Sequence, residues 1–228
     1  MTDVVIIGGG IAGMSACAQL APYVKVILLE AEPGLCYHSS GRSAATFIED
    51  YGNRVTKELN KASLTFLKSE SQGFLKKRGL LLLGKKGEEA QFQTDSEDLG
   101  LKYISVDEAF KFIPALNKER ITRQAYRPDV YDIDTNKLYE YYRKSALENG
   151  ALIRKKTKLK TAYQKNKNLQ IESSDGEISA SALINAAGAW ADKVAEFCGV
   201  SKLNIRPFKR SIARMQAPAG INLSLIHI

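Results

Sequence analysis

The chain has 228 residues, a formal net charge of +8, and 44% hydrophobic and 25% charged residues. This composition is typical of an ordinary globular protein and excludes a disordered chain, which could not bury enough apolar surface to offset the entropy of ordering. No apolar run approaches the roughly 20 residues of a membrane helix, so we expect no integral membrane segment.

The N-terminus and the cysteines bear on location. The start Met1-Thr-Asp lacks a basic stretch, and Val4–Ile7 is too short for the apolar region of a signal peptide, so we expect no such peptide. Cys17, Cys36 and Cys198 are odd in number and widely spaced, which argues against a disulfide framework. Because thiols persist in reducing compartments, we expect a cytoplasmic protein.

The first thirty residues predict a parallel β-α-β unit. Val4–Ile7 is an apolar run of the kind buried on both faces of a sheet, and three glycines at positions 8 to 10 end it. A helical pattern runs from Ile11 to about Pro22, and a second apolar run, Val24–Leu29, ends at Glu30. Strand, glycine turn, helix and strand in this order are typical of a β-α-β unit.

Between residues 50 and 150 the pattern predicts amphipathic helices and short strands. A long helix is expected over residues 53–74, with one apolar side formed by Val55, Leu59, Ala62, Phe66 and Leu67. The other expected elements are a strand over 80–83, a helix over 105–112 with a capping box of Ser105 and Glu108, a strand over 121–127, and a helix from Asp134 to Asn149.

Beyond Gly150 the sequence predicts mostly strands. These are expected over residues 151–154, 156–163, 169–172 and 177–185, followed by a helix over 189–197 and an extended segment over 204–216. Residues 182–187 are apolar except for Asn185 and in this resemble the run near residue 5. One sheet that contains both runs requires a second domain to be inserted between them. We therefore predict an α/β fold with a dinucleotide-type sheet built from two separated segments.

The basic residues are densest between Arg154 and Lys160. There they alternate with Thr157, Leu159 and Thr161, and a period of two predicts the solvated face of a strand. No aromatic side chains that could stack on bases are interleaved with them, as a single-strand binder would need. We therefore expect no nucleic-acid partner.

Gly8, Gly10 and Gly13 have the spacing G-x-G-x-x-G after a predicted strand and at the start of a helix, the context that this motif requires. In it the first glycine allows a tight turn, the second lets the backbone approach a pyrophosphate, and the third brings helix and strand together. The N–H groups at the positive helix end would bind the diphosphate. Glu30 would accept hydrogen bonds from a ribose diol and repel a 2′-phosphate, which argues against NADP. The alternative is a turn shaped by glycines alone.

The segment Tyr37–Ala45 favours a flavin over a plain nicotinamide dinucleotide. It combines three serines, a glycine and Arg42 shortly after the predicted ribose acid. A nicotinamide-binding domain has no use for such a segment, whereas small residues with hydroxyl groups can line a ribityl chain and a wide ring. The alternative is a capped loop that leads into a helix at Ala44–Ile48.

Taken together, these motifs resemble those of the FAD-dependent oxidoreductases of the D-amino-acid oxidase and glycine oxidase superfamily, and most closely those of the bacterial D-arginine dehydrogenase-like enzymes. The stretches that carry the resemblance are the glycine turn with Glu30, residues 37–45 with Tyr51-Gly52, and residues 132–135, 184–190 and 207–211. The resemblance implies a Rossmann-like FAD-binding domain (1–75 and 148–200) and an inserted α+β substrate domain (76–147 and 201–222) that is incomplete at the C-terminus.

The resemblance also implies the cofactor, FAD in an extended form, and its contacts. Lys158 matches a position whose backbone pairs with adenine, and no residue is assigned as a metal ligand. Trp190 would line the cofactor, although core packing is an alternative. The residues expected to contact FAD are Gly8, Gly10, Ala12, Gly13, Glu30, Ala31, Ser39, Ser40, Gly41, Arg42, Ser43, Ala44, Ala45, Lys158, Ala187, Gly188 and Trp190.

The implied reaction is transfer of a hydride from the α-carbon of a neutral amino acid to the flavin, which gives an imino acid that water then hydrolyses. Arg210 matches a carboxylate-binding arginine, a task that suits the guanidinium fork, with Lys209 and Arg214 as alternatives. Tyr51 matches a substrate-pocket tyrosine, with a packed surface aromatic as the alternative. The electron acceptor is not specified by the sequence.

Two positions depart from the D-arginine enzymes. Thr46 stands where they have a histidine, and Leu80 stands where they have the acid that recognises the guanidinium. A cationic substrate would have no charge partner at position 80, and in a desolvated pocket this would cost on the order of several kcal/mol. We therefore expect an amino acid that is smaller or more apolar than D-arginine.

The family's chains are longer, and Leu223–Ile228 matches one reading frame of a transposon end used in sequencing libraries. We expect these residues to be non-native, the natural chain to continue past Asn222, and the fragment to be inactive by itself. The alternatives are a 2-hydroxy-acid or other amine oxidoreductase of the same superfamily and, from another class, a non-catalytic NAD-binding module.

Overall fold

The structure is a computed structural model, and it describes residues 2–69 and 72–209. In chain order the elements of these residues are β1 (Thr2–Ile7), α1 (Ile11–Leu20), β2 (Val26–Leu29), β3 (Thr46–Phe47), α2 (Arg54–Leu67), β4 (Leu75–Lys77), β5 (Leu80–Gly84), α3 (Glu89–Asp98), β6 (Lys102–Tyr103), α4 (Val106–Phe112), β7 (Arg123–Arg127), β8 (Tyr131–Ile133), α5 (Thr135–Glu148), β9 (Leu152–Arg154), β10 (Leu159–Lys165), β11 (Asn168–Ser173), β12 (Gly176–Asn185) and α6 (Ala191–Phe197). Two short 3-10 turns, Ser39–Arg42 and Gly188–Trp190, complete them.

The chain divides into two compact units. Among the described residues, the first unit contains residues 2–44 and 135–209, and the second unit contains residues 45–69 and 72–134. The sequence predicted domain boundaries near residues 75 and 148, so α2 and α5 each fall on the other side of the division. The reason is local pairing: β3 and β4 both pair with β8 in the second unit, and α5 packs against α1 in the first.

The first unit is built on a six-stranded sheet with the order β10-β11-β12-β1-β2-β9. The four strands β12, β1, β2 and β9 are parallel, whereas β10, β11 and β12 form an antiparallel meander. In the centre, Val4 pairs with Val26 on one side and with Ala182 on the other. The predicted α/β fold with a Rossmann-like sheet from two separated segments is confirmed.

Both faces of β1 are covered. Successive strand side chains point to opposite faces of a sheet, so Val5 and Ile7 enter one apolar cluster and Ile6 enters another. The first cluster also contains Val194 of α6 and residues of β10 and β11, while the second contains Met14 of α1 and residues of α5. This burial explains why β1 and β2 are continuous apolar runs.

The second unit contains two three-stranded antiparallel sheets, with the orders β3-β8-β4 and β5-β7-β6. Its core joins Leu80 and Leu82 of β5 with Phe92 of α3 and Ala125 of β7. The helix α4 begins with the predicted capping box, in which Ser105 and Glu108 satisfy each other's backbone N–H groups.

Two expectations about these elements were wrong, and one helix was missed. The helix α2 ends at Leu67 rather than near residue 74, and Val55 and Leu59 of its apolar side are 63% and 62% exposed. The helix α3 was not predicted, since Phe92 and Ser96 are its only buried residues. Residues 155–158 precede β10 as a loop, because the N–H groups of residues 156 and 157 donate to the carbonyl oxygens of residues 32 and 30.

None of the helices in the described ranges is both long and apolar enough to cross a membrane. The thiols of Cys17, Cys36 and Cys198 are free, as their odd number and wide spacing in the sequence indicated.

Candidate functional site

A cleft of about 720 Å³ opens in the first unit at the carboxyl ends of its parallel strands. Ile7, Leu29 and Asn185, the last residues of β1, β2 and β12, all line it. Ligands of open parallel sheets bind outside the carboxyl ends of the strands, and this volume lies in the range of ligand-binding clefts. The cleft is therefore the candidate site.

Most of the predicted cofactor residues meet in this cleft. Those that line it are Gly8, Gly10, Ala12, Glu30, Ala31, Ser39, Ser40, Lys158, Ala187, Gly188 and Trp190. The predicted residues that do not line it are Gly13, Gly41, Arg42, Ser43, Ala44 and Ala45, and the last of these belongs to the second unit.

The turn after β1 and the turn after β12 lie side by side. Gly8 has φ +113°, and a Cβ atom there would lie 2.4 Å from the carbonyl oxygen of Ala186. The Ala186 N–H in turn donates to the Ile7 carbonyl at 2.9 Å. The two turns are therefore in direct backbone contact, and position 8 requires glycine, because only glycine permits both this φ and this contact.

Gly13 acts inside the turn rather than at the cleft surface. A Cβ atom at Gly13 would lie 1.9 Å from the carbonyl oxygen of Gly8. The third glycine of the motif therefore brings α1 close to the turn after β1, which is the packing role that the sequence predicted for it.

The start of α1 faces the cleft with backbone donors. Gly10 is its N-cap and supplies no side-chain cap, and the Ile11 N–H donates to the Ser40 hydroxyl at 3.0 Å. The N–H groups of the first helical turn have no partner within the helix, and the helix dipole makes this end positive. An anionic diphosphate fits this end of the cleft.

Glu30 is held by the backbone around it. One carboxylate oxygen accepts the Gly9 N–H at 2.7 Å, and the other accepts the Glu32 N–H at 2.8 Å. Each oxygen has a second lone pair, so the carboxylate can still accept ribose hydroxyls. Glu30 therefore fits its predicted role in a dinucleotide site.

Lys158 lines the cleft, but its backbone already has partners. Its N–H donates to the Ser174 hydroxyl at 2.9 Å, and its carbonyl accepts the Ser174 N–H at 2.8 Å. The adenine contact predicted for this backbone is therefore limited to the second lone pair of the Lys158 carbonyl.

An aromatic group lies at another part of the cleft wall. The Trp190 ring is 4.5 Å from the His38 ring between centroids, and His38 Nε2 is 3.0 Å from a Glu32 carboxylate oxygen. Trp190 is 50% exposed. That exposure excludes the alternative in which this side chain fills the core, and it leaves the indole available to a ligand.

Two contributors to the site were not predicted. The hydroxyl of Tyr139 in α5 donates to the carbonyl oxygen of Gly9 at 2.8 Å. The carboxylate of Asp192 in α6 accepts the N–H groups of Leu203 and Ile205 at 2.9 and 2.8 Å, which holds these two cleft-lining residues in place. No local sequence pattern indicates the hydrogen bond between Tyr139 and Gly9, because 130 positions separate these residues. For the Asp192 contacts the sequence contains one weak signal, an acidic residue in the first turn of a helix.

Residues 3–226 match the model of the family described as FAD dependent oxidoreductase, DAO. The chain belongs to this DAO family. It is 27% identical over 215 residues to monomeric sarcosine oxidase from Bacillus sp. (strain B-0618), an alignment that covers 89% of this chain and 54% of that protein. The predicted family and its cofactor, FAD, are confirmed.

Solved structures agree with the DAO fold. Glycine oxidase from Geobacillus kaustophilus superposes with a TM-score of 0.74 at 22% identity, covering 88% of this chain and 59% of that one. L-alpha-glycerophosphate oxidase from Mycoplasma pneumoniae with FAD bound superposes with a TM-score of 0.75 at 19% identity, covering 87% and 57%. The chain thus spans about half of the length of these relatives.

Of the predicted substrate residues of this DAO chain, Tyr51 does not line the cleft. Tyr51 belongs to the second unit and is 54% exposed, with its carbonyl bound by the Asn60 amide. Leu80 is 5% exposed within the apolar core of the second unit, so it does not line an open pocket as we expected. Arg210, the alternative Arg214 and residues 223–228 lie outside the described residues.

Thr46 accepts a hydrogen bond from the buried guanidinium of Arg78 at 3.4 Å, and the same guanidinium pairs with Asp132.

Across residues 2–69 and 72–209, no three His, Cys, Asp or Glu side chains form a group that could hold a metal ion.

Proposed function

We propose that the cleft of the first unit binds FAD and that the protein oxidises the CH–NH2 group of an amino acid to an imino acid. The observation that supports this most strongly is the meeting of two glycine-containing backbone turns beside Glu30, at the carboxyl ends of parallel strands. That arrangement suits a long nucleotide cofactor, because main chain and a carboxylate can contact it along one groove.

When bound, FAD supplies the two-electron oxidation. In our proposal the chain's own residues bind and orient it. The donors at the start of α1 other than the Ile11 N–H, which the Ser40 hydroxyl already accepts, hold the diphosphate. Glu30 accepts the ribose hydroxyls, and the exposed Trp190 indole lies along the remainder of the cofactor.

The other predicted contacts form part of the same proposal. Ala12, Ala31, Ser39, Ala187 and Gly188 line the cleft and can approach the cofactor directly. For the contacts predicted at residues 41–45 the support is the sequence resemblance, since these residues do not line the cleft. Gly13 contributes by packing the turn, and Lys158 contributes its carbonyl.

We propose a small or apolar amino acid, of the D-amino-acid or glycine type, as the substrate. The relative at 27% identity is named as an oxidase of sarcosine, which is N-methylglycine. Arg210 would bind the substrate carboxylate and Tyr51 would line the substrate pocket.

We further propose a discontinuous FAD-binding domain and a partial substrate domain, with activity requiring length that this chain does not contain. The support is that the chain spans about half of the length of its relatives. The free thiols of Cys17, Cys36 and Cys198 support a reducing, cytoplasmic location.

The cofactor proposal is tested by titrating the purified 228-residue chain with FAD and with NAD and following flavin fluorescence and heat of binding. We expect saturable binding of FAD. Glu30→Gln should weaken it about tenfold, the effect of weakening one charged hydrogen bond, while Glu177→Gln, an exposed acid on β12, should leave it unchanged. Saturation by NAD without FAD would instead support a non-catalytic module.

The substrate proposal is tested on the protein expressed from the native gene. Glycine, sarcosine, D-alanine, D-arginine and a 2-hydroxy acid are added without oxygen, and bleaching of the flavin absorbance is recorded. We expect bleaching by small amino acids. A faster reaction with D-arginine would contradict the proposal of a small or apolar substrate, and bleaching by the hydroxy acid alone would contradict amine oxidation.

A further inference from the structure

We propose that Tyr139 is a positioning residue that orients the diphosphate-binding turn of the cleft. The proposal rests on the proposed FAD site, and it concerns a residue of α5 that lies far from the glycine motif in sequence. Three contacts of Gly9 carry it.

The peptide groups on both sides of Gly9 are fixed by the protein. The Gly9 N–H donates to Glu30 at 2.7 Å, and the Gly9 carbonyl oxygen accepts the Cys36 N–H at 3.1 Å and the Tyr139 hydroxyl at 2.8 Å. The Tyr139 hydroxyl is the one of these three partners that comes from a side chain outside residues 1–44. It therefore couples the turn to α5, which packs against α1.

The Gly9 carbonyl controls the direction of a donor in the cleft. The peptide unit is planar and trans, so the Gly9 C=O and the Gly10 N–H, which share one peptide group, point in opposite directions. Holding the carbonyl toward Tyr139 turns the Gly10 N–H away from α5. Gly10 lines the cleft as the N-cap of α1, so this donor is available to a diphosphate.

The turn has little means of holding this orientation by itself. Glycine populates more backbone conformations than any other residue, and three glycines stand in succession here. A side chain at Gly9 is excluded, because a Cβ atom there would lie 2.7 Å from the Leu35 side chain and 2.9 Å from a Glu30 carboxylate oxygen. An external hydrogen bond is therefore needed to restrict the turn.

Tyr139 is suited to this task. Its side chain is 6% exposed and belongs to the apolar cluster that contains Ile6, Met14 and Leu28. Burial raises the pKa of its phenol far above the ordinary value, so the hydroxyl keeps its proton and remains a donor throughout the physiological range. Water competes poorly for a hydrogen bond in such a place, and the contact therefore lasts.

The test compares Tyr139→Phe with Tyr23→Phe in the 228-residue chain. Tyr139→Phe removes the hydroxyl and keeps the ring, whereas Tyr23 is 83% exposed and serves as the matched control. Dissociation constants for FAD and for ADP are measured well below the unfolding temperature, where a purely structural loss of stability does not change them. We expect Tyr139→Phe to weaken both ligands by about fivefold, the factor for one neutral hydrogen bond, and Tyr23→Phe to weaken neither.

Unchanged affinities in Tyr139→Phe, with or without a lower unfolding temperature, would overturn the proposal. If Tyr139→Phe does not fold, Tyr139→Met provides the same loss of a donor with a more adaptable side chain. Failure of the FAD proposal can be distinguished from failure of the Tyr139 proposal. If only the FAD proposal fails, the unsubstituted chain binds ADP but not FAD, and the dissociation constants for ADP still test the role of Tyr139. Failure to bind either ligand would overturn both.

Discussion

The two units of this chain organise their polar groups differently. In the first unit the contacts around the cleft are mostly made by backbone: the Gly9 and Glu32 N–H groups hold Glu30, and the Gly9 carbonyl accepts two donors. The second unit contains ion pairs between side chains with little exposure on the basic partner: Arg78 pairs with Asp132, and Arg127 pairs with Asp50 at 2.7 Å.

This difference decides what a sequence can reveal. A site built by backbone requires small residues at fixed positions, and glycines at such positions are visible in a single sequence. A guanidinium paired with a carboxylate requires only one Arg and one Asp among many, so their spacing carries no signal. The first unit was accordingly the easier one to assign.

Gly13→Ala tests the backbone-built unit and should have the largest effect. In an ordinary helix this change would stabilise the protein by about 1 kcal/mol. Here the new methyl group would meet the Gly8 carbonyl at 1.9 Å, so we expect the free energy of unfolding to fall by about 3 kcal/mol. Denaturant titration measures it.

The control for Gly13→Ala is Gly34→Ala, where the nearest atom to a Cβ is a Tyr37 ring carbon at 3.9 Å. We expect it to change the free energy of unfolding by less than about 0.5 kcal/mol. Equal effects of the two substitutions would mean that close backbone approach does not distinguish the first unit.

Arg78→Met tests the side-chain pairs of the second unit. The Arg78 side chain is 4% exposed and that of Asp132 is 36% exposed, so the substitution leaves a partly buried carboxylate without its partner. Because Asp132 keeps some hydration, we expect a loss of about 2 kcal/mol, below the 3 to 5 kcal/mol typical of a fully buried pair. Thermal and denaturant unfolding measure it.

The adjacent Lys77→Met is the matched control for Arg78→Met. Lys77 pairs with Asp129 at 3.6 Å, and both side chains are more than 60% exposed. Exposed pairs contribute little, so we expect a change below about 0.5 kcal/mol. A comparable loss in both variants would show that burial does not determine how much the Arg78–Asp132 pair contributes to the free energy of unfolding.

The same contrast explains which parts of the fold the sequence predicted. The apolar runs of β1 and β2 indicated buried parallel strands, because burial on both faces excludes polar side chains. The run in β12 does pair in parallel with β1, but it is not buried on both faces as expected, since Ala182 and Asn185 are exposed. For α2 the periodicity showed which residues share a side, but not whether anything covers that side, and Val55 and Leu59 proved to be exposed.

For the site, the glycine turn and Glu30 were predictable because their chemistry lies within one β-α-β unit. Tyr139 was not, since its contact depends on how α5 packs against α1. Lys158 lines the cleft, yet its pairing with Ser174 depends on the meandering strands β10 and β11, and no local sequence pattern indicates it.

Asp50→Asn should have the smallest effect, with a characteristic dependence on pH. Although burial acts to raise the pKa of Asp50, the hydrogen bond and the charge of Arg127 outweigh it and hold that pKa below its ordinary value. A carboxylate with a lowered folded pKa stabilises the protein above its unfolded pKa of about 3.9, and this contribution is lost as the pH falls through the folded pKa.

The Asp50 side chain is 53% exposed, so the pair is screened and we expect Asp50→Asn to cost less than about 1 kcal/mol at neutral pH. The difference from the unsubstituted chain should shrink as the pH falls below about 4, because the unfolded chain then binds a proton at Asp50, and it should vanish once the pH is below the folded pKa and Asp50 is protonated in the folded chain as well. Denaturant titrations at a series of pH values measure this, with Asp129→Asn as the exposed control. A difference that stays constant down to the lowest pH would mean that packing, rather than the charge on Asp50, holds Arg127 in place.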